Sequence, residues 1–185
     1  LDGISVVKEP IVCKRKMAYV PDTPRLEEYM TGMQYLNFVC DIYQISAKER
    51  KQNIERLIHA FQMEPHISGL ISSYSHGMKQ KVALIAAFSH NPKLLVLDEP
   101  FVGLDPEAFI ALKEQMKMLC RKGSSVLFSS HILDVVEKLC NIISIIKDGR
   151  LLYSGTTEEL IGVEGLEDAF MELNSNESFD PSIEK

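Results

Sequence analysis

The order of helical and apolar segments after Ser72 constrains the fold of this chain more than any other feature. Helical periodicity over residues 77–90 and 106–121 alternates with short apolar runs at 93–98 and 125–129. These runs are continuously apolar, as strands are when helices cover both faces of a parallel sheet. The pattern therefore predicts an α/β fold built on a parallel sheet.

The C-terminal part continues this alternation. The expected elements are a helix near 131–140, a further strand of the parallel sheet at 142–147, a short strand at 151–154 after an Asp148-Gly149 turn, and helices near 157–162 and 165–173. Asp105, Pro106 and Gly123 predict the two ends of helix 106–121, because they suit an N-cap, a first helical position and a stop. Residues 174–185 are polar and acidic, so we expect a mobile tail there.

The first third of the chain has a different pattern. Apolar runs at 4–7 and 17–20 predict extended structure. Helical periodicity then follows over 26–45 and 47–62. Ser46 and Glu49 predict a capping box, in which a hydroxyl and a carboxylate satisfy free backbone N–H groups. We therefore predict a helical insert within the α/β pattern.

Composition and charge exclude several classes of protein. The net charge is −6 and no basic block interrupts it, which argues against nucleic acid as the main partner. No apolar run approaches the roughly 20 residues needed to cross a bilayer. The four cysteines have no C-x-x-C spacing, so we interpret them as buried thiols of a protein in a reducing cytosol rather than as a metal site.

Asp98 and Glu99 are the first candidate functional residues, because they end an apolar strand. Ligands of parallel sheets bind beyond the carboxyl ends of the strands. A carboxylate there can hold Mg²⁺ through water, and the next acid can face a water lined up on a phosphorus. The alternative interpretation is a solvated acidic pair at a strand end.

Ser75, Gly77 and His131 are candidates for the same chemistry. Ser75 and Gly77 begin helix 77–90, where free N–H groups and the helix dipole favour an anion. His131 follows the strand that comes after the acidic one in the sequence, so its ring could reach the same phosphate. The alternatives are a plain helix cap at Ser75 and a structural histidine at 131.

Four motifs in this order carry a family resemblance. SHG, LLVLDEP, GLDP and SSH follow one another along the chain, which resembles the ATP-binding cassette of ABC transporters. YSHGM at 74–78 is similar to the signature loop, 94–99 to the Walker B strand with its glutamate, and Gly103-Leu104-Asp105 to the D-loop. The segments DGRLLYSGTTEEL and GLEDAFMEL look like those of single-cassette prokaryotic exporters.

The resemblance implies a role for each of these residues. Asp98 would help to hold Mg²⁺, Glu99 would polarise the attacking water, and His131 would contact the γ-phosphate of ATP. Ser75 and Gly77 would clamp the γ-phosphate of an ATP bound mainly by a second cassette, in a dimer. Asp105 would link the two sites across that dimer.

The sequence departs from the family pattern at three places. No G-x-x-x-x-G-K-[ST] segment occurs, so we expect a chain that is N-terminally truncated, lacks the phosphate-binding loop and is inactive alone. Asp22 stands where the family has a glutamine after Tyr-Val-Pro, and it can still reach Mg²⁺ through water. His76 and Met78 replace a glycine and a glutamine of the signature.

The resemblance also implies an organisation and partners. The expected parts of the incomplete P-loop NTPase-like core and its insert are N-terminal strands at 1–22, a helical subdomain at 23–73, a core with the motifs at 74–163, and a C-terminal helix and tail at 164–185. The helical subdomain would receive a separate membrane permease at the inner face of the cell membrane, on the cytoplasmic side. Met30, Met33, Tyr35 and Phe38 are either part of that contact or core residues of their helix.

Two alternative functions remain open from the sequence. One is a non-hydrolysing binding or regulatory module, which the missing loop favours and the intact Glu99 and His131 oppose. The other is a soluble cassette that acts on DNA or ribosomes, for which the sequence offers no coiled-coil arms, second cassette or basic surface. The preferred interpretation is an ATP-hydrolysing subunit that powers transport, with export favoured by the C-terminal pattern.

Overall fold

The computed structural model describes residues 1–161 and 165–175. These residues form two compact units, which divide between Ser129 and Ser130. The first unit contains α1 (Pro10–Arg15), β1 (Met17–Val20), α2 (Gly32–Ile42), α3 (Ala47–Ala60), a 3-10 turn (Ile71–Ser73), α4 (His76–Ser89), β2 (Leu94–Leu97), α5 (Pro106–Arg121) and β3 (Ser125–Phe128). The second contains α6 (Leu133–Leu139), β4 (Ile142–Lys147), β5 (Arg150–Thr156), α7 (Thr157–Ile161) and α8 (Leu166–Ser175).

The sheet of the first unit is parallel, in the order β1-β2-β3. Ala18 and Leu95 lie side by side on one face and are buried. On the opposite face, Tyr19 is 63% exposed and Leu127 is 62% exposed. The predicted parallel sheet is therefore confirmed for these strands, whereas complete cover of both faces is wrong for the described residues.

Helix α4 is the central helix of the first unit. It packs against α2, α3 and β1, and every residue from Gln80 to Ser89 is buried. Packing on several sides explains why the helix is apolar around most of its circumference rather than along one stripe. Its N-terminal turn thus has a fixed position relative to the sheet.

The second unit corrects the prediction of a parallel strand at 142–147. β4 pairs antiparallel with β5 in a separate two-stranded sheet. Asp148 and Gly149, with φ angles of 50° and 76°, form the two-residue turn that joins them. A turn this short can connect only antiparallel strands, and positive φ at both positions gives it the twist of a hairpin. Ile143, Ile145 and Leu166 form the core of this unit.

The N-terminal segment also differs from the prediction. Residues 4–7 form no strand, and Val6 and Val7 lie in an exposed turn. Helix α1 follows instead, with Pro10 at its first position, where the missing proline N–H costs nothing. The apolar run at 4–7 was too short to distinguish a strand from a turn, whereas the run at 17–20 forms β1 as predicted.

The two predicted helices of the insert are present, but the first is shorter. It begins at Gly32 rather than at 26, because Glu28 and Met30 accept backbone hydrogen bonds from Ser72 and Ile71 at 3.1 and 2.9 Å. A complete capping box at Thr31 and Gln34, which the sequence analysis missed, fixes this start. The predicted box at α3 is partial, since the Glu49 carboxylate accepts from the Ser46 hydroxyl.

Other sequence predictions have mixed outcomes. The bounds of α5 and its Asp105 N-cap are confirmed. Cys13 and Cys40 are buried thiols as expected, but Cys120 is exposed. Of the predicted tail, Asn174 and Ser175 belong to α8, and the remainder lies outside the described residues. The division into four functional parts stays a prediction.

Candidate functional site

Asp98 and Glu99 lie at the carboxyl end of β2, between β1 and β3. The Asp98 N–H donates to the Val20 carbonyl oxygen at 2.9 Å, and the Ser129 N–H donates to the Leu97 carbonyl oxygen at 3.0 Å. The ladder on both sides therefore extends to the acidic pair itself. This places the pair at the sheet edge where ligands of parallel sheets bind.

Ser129 is a residue of this site that the sequence analysis missed. Its hydroxyl oxygen accepts a hydrogen bond from the Glu99 N–H at 2.9 Å and donates one to Asp98 Oδ1 at 2.7 Å. A signal was available, because Ser129 directly follows β3 at the same edge of the sheet. Serine is so common in loops that the position alone did not identify it.

Glu99 has an unusual backbone conformation, with φ of 44°. The left-handed region costs an L-residue roughly 1–2 kcal/mol, and such residues concentrate at functional sites. The chain turns immediately afterwards, with the Val102 N–H donating to the Glu99 carbonyl oxygen at 3.1 Å. Phe101 in this turn is buried against the rings of Phe109 and Phe128, so the turn is fixed from the inside.

The donor set at this edge fits a hydrated Mg²⁺ ion. Asp98 is half-buried and, among the described residues, its second carboxylate oxygen has no hydrogen-bond partner. Asp22 lines the same cleft as Asp98, which has a volume of about 670 Å³. Within the described part of the chain, no three acidic, histidine or cysteine side chains form a complete metal site. One or two carboxylates, with water and phosphate completing the shell, suit magnesium.

The start of α4 is held against the turn that follows Glu99. A β-carbon added to Gly77 would lie 2.6 Å from the Gly103 carbonyl oxygen. One added to Gly103, whose φ is 74°, would lie 3.0 Å from the His76 ring. Ser75 caps the helix by accepting from the Met78 N–H at 3.2 Å. The capping alternative is thus present at Ser75, and the anion-binding roles of Ser75 and Gly77 stay predictions.

Asp105 ties the end of the same turn to α4. Its Oδ1 accepts from the Ala108 N–H at 2.8 Å, and its Oδ2 pairs with Lys81 Nζ at 2.5 Å. The hydrogen bond from Lys81, followed by that from Ala108, lowers the pKa of Asp105. Lys81, which the sequence analysis missed, is only 9% exposed. Both oxygens of Asp105 are therefore engaged within the chain, and its predicted role across a dimer stays a prediction.

His131 and Asp22 occupy exposed positions in different units. His131 lies between Ser130 and the start of α6 in the second unit. Asp22 follows β1 in the first, and its carboxylate accepts from the Thr23 hydroxyl at 3.4 Å. Asp22 shares its cleft with Asp98, whereas the contact of His131 with a phosphate remains a prediction.

The residues proposed for a partner contact are only partly buried. Met30, Met33 and Tyr35 are half-buried, and Phe38 is exposed. Burial raises the pKa of Tyr35, and this residue lines the same cleft as Asp22. These four residues are therefore neither all buried, as core residues would be, nor all exposed, as a contact surface would be.

Three comparisons with known proteins all find ABC transporter ATP-binding proteins or their domains. The family model described as "ABC transporter" matches residues 2–102. The "ABC-type transporter ATP-binding protein EcsA" of Bacillus subtilis (strain 168) is 36% identical over 93% of this chain and 70% of that protein. The "Uncharacterized ABC transporter ATP-binding protein all4389" of Nostoc sp. (strain PCC 7120 / SAG 25.82 / UTEX 2576) is 34% identical over 80% of this chain and 45% of that protein. A solved structure described as "Structure of ATP binding subunit of ABC transporter" superposes with a TM-score of 0.89 at 34% identity, over 94% of this chain and 75% of the other.

Proposed function

This chain belongs to the ABC transporter family, and from that premise we propose that it is the ATP-hydrolysing subunit of a transporter with a separate membrane permease. The observation that carries the proposal is the acidic pair Asp98 and Glu99 at the carboxyl edge of a parallel sheet, with the following turn packed on the start of α4. That arrangement brings a cation-binding edge and an anion-favouring helix start into one unit.

In this proposal each acid has a separate task. Asp98, with Asp22 in the same cleft, holds the ion, and bound Mg²⁺ supplies neutralisation of phosphate charge. Glu99 accepts a hydrogen bond from the attacking water and orients it toward the γ-phosphorus. His131 donates to the γ-phosphate. Catalysis of this kind consists mostly of positioning and electrostatic stabilisation.

A second cassette completes the proposed machine. Ser75 and Gly77 contact the γ-phosphate of an ATP bound mainly by the partner subunit. Gly77 has no side chain, so a phosphate can approach the backbone at this helix start closely, and the packing of Gly77 on Gly103 keeps the following turn beside it. Asp105 then acts between the two sites by holding its turn in place.

The remaining part of the proposal concerns the membrane. The permease contacts the helical subdomain, residues 23–73, with Phe38 as an exposed apolar contact residue. In the described residues no helix has the length and apolar character of a membrane span. The subunit would be cytoplasmic and peripheral on the inner face of the cell membrane, and the similarity of its C-terminal segments to exporters favours export.

Glu99→Gln in the transporter complex tests the hydrolytic role. With the complex purified from its native membranes through this subunit, we expect MgATP turnover to be lost and nucleotide binding to persist, because only the group that orients water is removed. Glu107→Gln is the matched control, since Glu107 is exposed in the first turn of α5. Turnover that survives Glu99→Gln would refute the role of this residue. A wild-type complex that binds MgATP without hydrolysing it would instead favour a non-hydrolysing module. We also expect an integral-membrane protein to co-purify with this subunit. If none does, the proposal of a separate permease is refuted.

The isolated polypeptide has a different expected behaviour. Residues 1–185 contain no G-x-x-x-x-G-K-[ST] segment, so no nest of backbone N–H groups surrounds the α- and β-phosphates. We propose that this polypeptide alone binds MgATP poorly and does not hydrolyse it. Titration calorimetry that gives micromolar binding contradicts this part of the proposal.

A further inference from the structure

We propose that Ser129 is a positioning residue that sets the geometry of both acids, Asp98 for the cation and Glu99 for the water. This inference rests on the proposed ATP hydrolysis and adds a residue to it. Ser129 itself contacts neither nucleotide nor water in this scheme. It acts through the two side chains on the neighbouring strand.

The hydroxyl of Ser129 uses both of its hydrogen-bonding capacities on consecutive residues. It accepts from the Glu99 N–H at 2.9 Å and donates to Asp98 Oδ1 at 2.7 Å. The direction of each bond is fixed by chemistry, because an amide N–H can only donate and an ionised carboxylate can only accept. Only a side chain that is donor and acceptor at one atom can replace it.

The backbone around Ser129 makes this bridge rigid. Its own N–H is bonded to the Leu97 carbonyl oxygen at 3.0 Å, as the last rung of the ladder between β2 and β3. The hydroxyl therefore sits on a fixed frame at the height of the acidic pair. An exposed serine in a loop usually forms hydrogen bonds with neighbouring backbone groups of that loop. The Ser129 hydroxyl instead bonds to two residues at the end of another strand.

The consequence for Asp98 is a choice between its two oxygens. With Oδ1 held by Ser129, Oδ2 is left for the cation, and the carboxylate plane cannot rotate freely. Partners of this kind, which orient a metal ligand without binding the metal, commonly change metal affinity or activity by about 10–100-fold when removed.

The consequence for Glu99 is a fixed left-handed backbone. This conformation, at φ of 44°, is unfavourable for glutamate and persists only when its surroundings hold it. The hydrogen bond to the Glu99 N–H is one such constraint, and the buried Phe101 two residues later is another. Loss of the first allows the carboxylate to leave the line of attack.

The test uses the native transporter complex with Ser129→Ala, and with Ser129→Thr as the variant that keeps the hydroxyl. We expect the Mg²⁺ concentration for half-maximal ATP turnover to rise about 10–100-fold with alanine and to change less than about threefold with threonine. Ser130→Ala is the matched control, because Ser130 is the adjacent serine and its hydroxyl accepts from the Ile132 N–H at 3.1 Å. If Ser129→Ala impairs folding, Ser129→Cys takes its place. The thiol is similar in size to the hydroxyl but is only a weak donor and a weak acceptor, so we expect it to raise the Mg²⁺ requirement as alanine does.

A second readout does not depend on turnover. Mn²⁺ binding to the complex loaded with a non-hydrolysable ATP analogue, followed by electron paramagnetic resonance, should weaken about 10–100-fold with Ser129→Ala. Metal affinity unchanged by alanine overturns the inference, even if the maximal rate falls. The Glu99→Gln experiment then tests the proposed function separately. If that variant loses turnover, the proposal of ATP hydrolysis stands and only the role of Ser129 is refuted.

Discussion

The ion pair between Lys81 and Asp105 is expected to contribute measurably to the stability of the first unit. Lys81 is 9% exposed, and its Nζ lies 2.5 Å from Asp105 Oδ2. A charge-assisted hydrogen bond is worth about 1.5–3 kcal/mol. The Asp105 side chain is 44% exposed, so water screens the pair and moves the value toward that of surface pairs, about 1 kcal/mol. We therefore expect a coupling free energy of about 1–2 kcal/mol.

The two single substitutions should differ in cost. Lys81→Met keeps an unbranched side chain of similar length in the buried position and leaves the Asp105 carboxylate, which water can solvate. We therefore expect the free energy of unfolding to fall by about 1–2 kcal/mol. Asp105→Asn keeps an N-cap of equal quality but leaves a buried ammonium without its partner. Breaking a buried pair in this way costs up to about 3–5 kcal/mol, and partial exposure of Asp105 places the expected loss near 2–3 kcal/mol.

The assay is a double-mutant cycle read by native-state hydrogen exchange at the buried amides of α4. This readout reports on the Leu1–Ser129 unit without requiring both units to unfold together. Lys117→Met with Glu114→Gln is the matched control on α5, because that pair is exposed and 3.6 Å apart. A coupling energy below about 0.5 kcal/mol, or a greater loss from Lys81→Met than from Asp105→Asn, would refute the reasoning.

The same pair gives a pH dependence with a defined sign. The hydrogen bond from Lys81 holds the pKa of Asp105 below its usual value, so its contribution is complete above the unfolded pKa of about 3.9. It is lost as the pH falls through the lower folded pKa. The difference in stability between wild type and Lys81→Met should therefore be constant at neutral pH and shrink in acid.

Two further substitutions test other contacts. Gly77→Ala places a methyl carbon 2.6 Å from a backbone oxygen of Gly103, so the turn must move, and urea unfolding should show a loss of about 1–3 kcal/mol; a loss below about 0.5 kcal/mol contradicts the contact. His90 stacks on Tyr43 with ring centroids 3.7 Å apart, and burial lowers its pKa. Because the unfolded chain then binds the proton more readily, stability should fall as the pH drops below about 6.5, and His90→Phe should remove that fall in melting temperature.

The helices were predictable from the sequence where their ends carry a specific signal. Asp105 and Pro106 fixed the start of α5, and Ser75 the start of α4, because capping is local chemistry that residue type reveals. Strand pairing is not local. The apolar run at 142–147 fitted a parallel strand by its composition alone. The Asp148-Gly149 turn was visible in the sequence, but that it joins two strands paired with each other was established only by the structure.

The residues of the candidate site also differ in whether local sequence identifies them. The acids were recognisable because two carboxylates after an apolar strand are conspicuous. Ser129 and Lys81 were not, because their importance lies in hydrogen bonds to residues 31 and 24 positions away in the sequence. Such partners can be found only when the register of the sheet and the packing of α4 are known.

The contact between Gly77 and the Gly103 carbonyl oxygen has an evolutionary consequence. The neighbouring positions 76 and 78 already differ from the family pattern in this chain, as His76 and Met78, whereas a side chain at position 77 would meet the Gly103 carbonyl oxygen at 2.6 Å. Drift at this helix start is therefore expected to accumulate on either side of Gly77. A side chain at 77 can become fixed only together with a rearranged turn at 103, so the two sites should change as a pair or not at all.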